Sequence, residues 1–75
     1  MLAYVLIAVD AGHEKTVFEQ LKATSGVKDA HMLFGEWDVI VKAEVPNAEA
    51  LGPFVLNTIR GIKGVKLTST MIVAD

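Results

Sequence analysis

The chain has no cysteine, only two prolines and only two histidines among its 75 residues. Without thiols there is no disulfide framework, and two imidazoles alone do not make the usual thiolate and imidazole cage of a structural zinc site. A domain this small buries only roughly 60% of its unfolded surface and often relies on a disulfide, a metal or a partner subunit. With the first two gone, a partner subunit is the favoured remedy. Basic residues are also scarce, seven Lys or Arg against nine Asp or Glu, for a formal charge of -2. No basic run neutralises phosphates, the interaction that dominates non-specific nucleic-acid affinity, so direct nucleic-acid binding is not expected. The apolar run Leu2 to Val9 has no basic residue before it and falls far short of the ~20 residues of a spanning helix. It reads as neither signal peptide nor membrane span, and a cytoplasmic location is expected. What abounds is apolar residue, 52% against 21% charged, slightly above and below the respective globular norms. Part of this surface is expected to meet protein.

Residues 1–75 read as a single domain. Leu2–Val9 is apolar at both parities, which predicts an interior strand with both faces covered. Asp10 to His13 supplies a turn, and Val17, Phe18 and Leu21 then recur at helical spacing, predicting a first helix over about 13–24 that ends before Gly26. Val27–Phe34 and Trp37–Val45 alternate and are separated by Gly35-Glu36, which predicts a hairpin. Pro46 keeps Val45 extended and Asn47 is a good N-cap, so a second helix is expected from about 48, with Leu51, Val55, Ile59 and Ile62 as its buried stripe. Pro53 cannot donate to the carbonyl of Glu49, so a kink or irregular turn is expected there. Gly61 and Gly64 offer stops. The last strand, about 65–74, is expected to place Val65, Leu67, Ser69, Met71 and Val73 on one face and Lys66, Thr68, Thr70, Ile72 and Ala74 on the other. The order βαββαβ predicts an α+β, ferredoxin-like domain: a four-stranded antiparallel sheet with both helices on one face. The other face has no helix to cover it, and a second copy packed sheet to sheet, a dimeric α/β barrel-like assembly, is the simplest cover.

Phe34-Gly35-Glu36-Trp37-Asp38 carries the most chemistry. Gly35 can take φ > 0 and turn neighbouring N–H groups outward toward an anion, Glu36 or Asp38 can accept an ammonium group, and Trp37 offers an apolar or cation-binding wall. That combination suits a free amino acid. The same residues also describe a tight hairpin turn with an anchoring Trp. Thr68, Ser69 and Thr70 offer three hydroxyls to a carboxylate or carbonyl, although Thr is common in strands for packing reasons alone. Gly61 to Gly64 has the spacing of a GxxG backbone clamp, but helix termination accounts for both glycines. His13 reads as a polar residue at a helix start. Asp29 and His31 share a strand face, but two ligands rarely suffice for a metal. With no Cys nucleophile, and no base identified beside Ser25 or Ser69, no catalytic residue and no cofactor are expected.

Two stretches, Ala30 to Lys42 with its glycine, variable residue, aromatic and aspartate, and Phe54 to Val73 with its helix, Gly64-Val65 and Thr-containing last strand, resemble the ligand-binding half of the Lrp/AsnC family of regulators, called RAM. With the first strand the resemblance covers almost the whole chain. It implies the βαββαβ dimer, a free amino-acid effector bound between dimers, and rings that are octamers or decamers. Gly35, Trp37 and Asp38 match the family's pocket signature, Glu36 occupies its variable position, and Thr68, Ser69 and Thr70 match the closing strand that completes the pocket. Asp38 is the expected ammonium partner, and the backbone around Gly35 to Trp37 the expected carboxylate site. Phe34 stands where a small hydroxyl residue is frequent and Val39 where an aromatic is. Full members begin with a DNA-reading helix-turn-helix and this sequence begins on the effector strand, so the resemblance implies a stand-alone form that senses amino acids or modulates full-length relatives by mixed assembly. Two other classes remain open. One is a cofactor-free ferredoxin-like oxygenase using Trp37, His31 and Asp38, by analogy of fold, and the other is an adaptor docking proteins through its sheet edge.

Overall fold

A computed structural model describes residues 1–75. The elements are β1 (Leu2–Val9), α1 (Glu14–Lys22), β2 (Val27–Met32), β3 (Val39–Glu44), α2 (Ala48–Pro53, continued as a π-helical segment Phe54–Ile59) and β4 (Val65–Ile72). The sheet is antiparallel in the order β2-β3-β1-β4. The βαββαβ, ferredoxin-like expectation holds, and β1 is an interior strand.

Alternation decides which residues reach the core. Ala3, Val5, Ile7 and Val9 of β1 and Val39, Val41 and Ala43 of β3 are buried. All of these but Ala43 pack in one cluster with Val17 and Leu21 of α1 and with Leu51, Val55 and Ile59 of the second helix. The space between sheet and helices is thus filled by aliphatic side chains. On the opposite face the same two strands present Leu2, Tyr4, Leu6, Ala8, Ile40 and Lys42, half-buried or exposed.

The second helix shows how local chemistry sets geometry. The Ala50 N–H donates to Asn47 Oδ1 at 2.9 Å, closing the expected N-cap. The irregularity expected at Pro53 also appears, but it extends further than one turn. From Phe54 the backbone widens, and the Arg60 N–H reaches the carbonyl of Val55, five residues back, at 2.9 Å. Leu51, Val55 and Ile59 are the buried stripe, whereas Ile62 beyond the helix is half-buried.

Three expectations need correction. The hairpin strands are shorter than their alternation suggests, so Phe34, Trp37 and Asp38 belong to the connecting loop. The first helix likewise ends at Lys22. In β4, Val65 pairs with Val9 but Leu67 with Ala8, so Lys66 is an extra residue and the parity changes. Val65 therefore packs on the core while Leu67 lies on the helix-free face, 55% exposed. The two were expected on one face.

Candidate functional site

Strand β1 finishes at the end of the sheet where β3 and β4 begin, and the loop Leu33–Asp38 sits there. Its base is closed by the Leu33 N–H donating to the Asp38 carbonyl at 2.8 Å. Gly35 has φ of 138°, with nothing close to where a Cβ would stand. Backbone conformation, and not crowding, therefore favours glycine here. The backbone amides of Gly35, Glu36 and Trp37 donate to nothing within the chain. Phe34 is fully exposed.

Asp38 ties the loop to the sheet. Past the last regular pair, Ile7 with Val39, the Asp38 N–H donates to the Ile7 carbonyl at 2.9 Å, and the Val9 N–H donates to Asp38 Oδ2 at 2.7 Å. The carboxylate thus supplies the acceptor that the backbone of β3 no longer offers. A charged acceptor makes this a short, strong bond. Glu36, by contrast, is exposed and makes no ion pair. With Trp37 it borders a shallow concavity of about 260 Å³ whose other lining residues are Ala8 and Leu67, neighbours on the helix-free face.

The structure therefore brings Gly35, Glu36, Trp37 and Asp38 together in one loop and does not gather all of β4's hydroxyls around it. Thr68 and Thr70 pair with Ile7 and Val5, on the helix side. Thr70 opens on a separate apolar groove of about 340 Å³ between α2 and β4, bordered by Leu51, Val55, Leu56 and Ile72. Ser69 pairs with Leu6, on the helix-free face. Ala8 and Leu67 are the lining residues that pattern reading missed. The signal was hidden by the extra residue at Lys66, which carries Leu67 to the face where the loop lies.

The histidines lie elsewhere. His31 Nε2 is 3.3 Å from Asp29 Oδ2, in a depression shared with Tyr4, Ile40 and Lys42. The pair is exposed, and no third His, Cys, Asp or Glu joins it in a metal-holding group. His31 and Trp37 border different depressions, and Asp38 is engaged by the Val9 amide, so the three residues of the oxygenase reading do not converge. His13 contacts the start of β4 instead. A Cβ on Gly64, whose φ is 103°, would come within 2.7 Å of the His13 Cβ. Beside it, the Asp10 N–H donates to the Gly64 carbonyl at 2.8 Å. These contacts fasten the turn after β1 to the turn before β4. No helix is long and apolar enough to cross a membrane.

Comparison with known proteins agrees with this architecture. An uncharacterised HTH-type transcriptional regulator of Pyrococcus furiosus is 41% identical over a 73-position alignment that covers 93% of this chain and 49% of that protein. The chain thus spans about half the length of the curated relatives it matches. Among solved structures, the crystal structure of FFRP-DM1 superposes with a TM-score of 0.92 at 38% identity, covering 97% of each chain. The transcriptional regulator NMB0573 of Neisseria meningitidis, solved as a complex with L-Met, shares the fold with a TM-score of 0.87 at 22% identity, over 99% of this chain and 49% of that one. The family model of the Lrp/AsnC ligand binding domain matches residues 2–75, and the chain belongs to that family.

Proposed function

We propose that this chain is an amino-acid-binding regulatory module that acts as a homo-oligomer, with the free amino acid held at the Leu33–Asp38 loop. The observation that carries this reading is the loop's complementarity to a zwitterion. Unpartnered amides at Gly35, Glu36 and Trp37 suit a carboxylate, the exposed acidic side chain at Glu36 suits an ammonium group, and Trp37, Ala8 and Leu67 suit an apolar side chain. Membership of a ligand-binding family supports the regulatory role. The L-Met bound by the Neisseria regulator makes an apolar amino acid the first to test here. Ser69 would extend the site along the helix-free face, while Thr68 and Thr70, opening on the helix side, would serve a site shared with a neighbouring protomer.

The helix-free face supports assembly. Tyr4, Leu67 and Met71 stand 36%, 55% and 45% exposed on it, next to half-buried Leu2, Leu6 and Ile40. A contiguous apolar sheet face of this kind is suited to a second copy packed across a two-fold axis. Dimers would then stack into octamers or decamers, alone or mixed with full-length Lrp/AsnC relatives in the cytoplasm. Sedimentation of the purified chain with and without each standard amino acid, followed by calorimetric titration, tests both parts. Saturable binding of one amino acid, or a ligand-dependent change in size, is expected. An oligomer indifferent to all of them would sink the sensor and leave a scaffold, and a folded monomer at micromolar concentration would sink the assembly.

A further inference from the structure

Two acidic side chains stand two residues apart in the loop, and their surroundings differ. Asp38 Oδ2 accepts the Val9 N–H at 2.7 Å, and the Asp38 N–H donates to the Ile7 carbonyl, so backbone and side chain together engage the edge of β1 beyond the end of β3. Glu36 is exposed, unpaired and on the border of the concavity. The geometry points to a division of labour between them: Asp38 is a positioning residue that holds the loop over Ala8 and Leu67, and Glu36 is the group that receives the ligand's ammonium. The second half rests on the amino-acid-binding reading above, whereas the first stands without any ligand.

The physical reason lies in the end of the β3 ladder. At Val9 the regular pairing with β3, whose last pair is Ile7 with Val39, has ended, and the extra residue at Lys66 disturbs the pairing with β4 on the other side of β1. An amide orphaned there would cost free energy, and a side-chain acceptor removes that cost. The loop that supplies the acceptor is thereby fixed at the sheet, with its base already closed between Leu33 and Asp38. An amide oxygen at position 38 would still accept from the Val9 N–H, in a weaker bond without the charge. Reading a cation would require the charge.

That difference makes the proposal testable with Asp38→Asn, Asp38→Ala and Glu36→Gln. Without ligand, hydrogen exchange of the Val9 amide by NMR and the emission of Trp37 report the loop. Asp38→Ala is expected to speed Val9 exchange by about 10- to 100-fold and to shift the Trp37 emission, and Asp38→Asn, which keeps an acceptor, to restore most of both. Unchanged Val9 exchange in Asp38→Ala, or equal loss in both variants, overturns the positioning role. If Asp38→Ala does not fold, a folded Asp38→Asn with a protected Val9 amide supports it.

Titration of the parent and the variants with L-methionine, or with whichever amino acid the parent binds, tests the second half. Asp38→Asn is expected to retain affinity within a few-fold, and Glu36→Gln to lose about 10-fold or more. The reverse ranking, with Val9 still protected in Asp38→Asn, would assign the ammonium to Asp38 and overturn the division. If the parent binds no amino acid, the binding reading fails and so does the role of Glu36, while the exchange result still decides Asp38.

Discussion

The two faces of β1 have nearly the same chemistry and opposite fates. On β1, Ala3, Val5 and Ile7 are fully buried beneath the helices, while Leu2, Leu6 and Ala8, just as apolar, remain half-buried, and Tyr4 is exposed. Composition does not distinguish them. Coverage does: the chain carries two helices, both on one side, and leaves the other face without a cover of its own. A core completed within the chain and a face left open, on which a second copy is proposed to pack, should therefore respond differently to substitution.

The largest effect is expected from the covered face. Ile7→Ala removes a fully buried side chain from the centre of the cluster and should cost about 2–5 kcal/mol. Denaturant titration at fixed protein concentration measures it, and a loss below about 1 kcal/mol would mean that the core collapses around the gap. Next comes the helix-free face. Leu6→Lys places a charge where a second copy is proposed to pack, and it should weaken association by about 100-fold or more, since an unpaired buried charge costs several kcal/mol. Sedimentation equilibrium reads this directly, and an unchanged mass would erase the distinction between the faces. Smaller effects belong to the sheet ends that both faces share. Gly64→Ala combines a φ of 103° with the crowding of His13 and should lower stability by about 1–2 kcal/mol in the same denaturant assay. Asn47→Ala, which removes the acceptor for the Ala50 amide, should cost about 1 kcal/mol and slightly reduce helical circular dichroism.

The covered face was the more legible of the two in the sequence. The apolar run of β1, the cap at Asn47, the break at Pro53 and the stripe Leu51, Val55 and Ile59 are local patterns with local causes, and all reappear. The candidate loop was legible as composition but not as geometry. Alternation carried the hairpin strands through Phe34 and Trp37, because nothing in a period of two marks where a ladder stops. That Asp38 would accept from Val9, 29 residues away, depends on where β3 leaves β1, a tertiary fact. The separation of Thr68 and Thr70 from Ser69 follows from plain alternation and was readable. The assignment of Leu67 was not, because nothing in the letters Val65-Lys66-Leu67 announces an extra residue.

That extra residue in β4 works as a phase shift. Before it the strand is in register with the core, and after it Leu67, Ser69 and Met71 are in register with the open face. Length at this point therefore matters more than identity. Many side chains could replace Lys66, which is exposed, but its deletion would carry Val65 to the open face or turn the whole run from Leu67 to Ile72 over, burying what now faces outward and exposing what now lines the helices. Homologous chains should accordingly vary freely in residue type at this position while keeping the count.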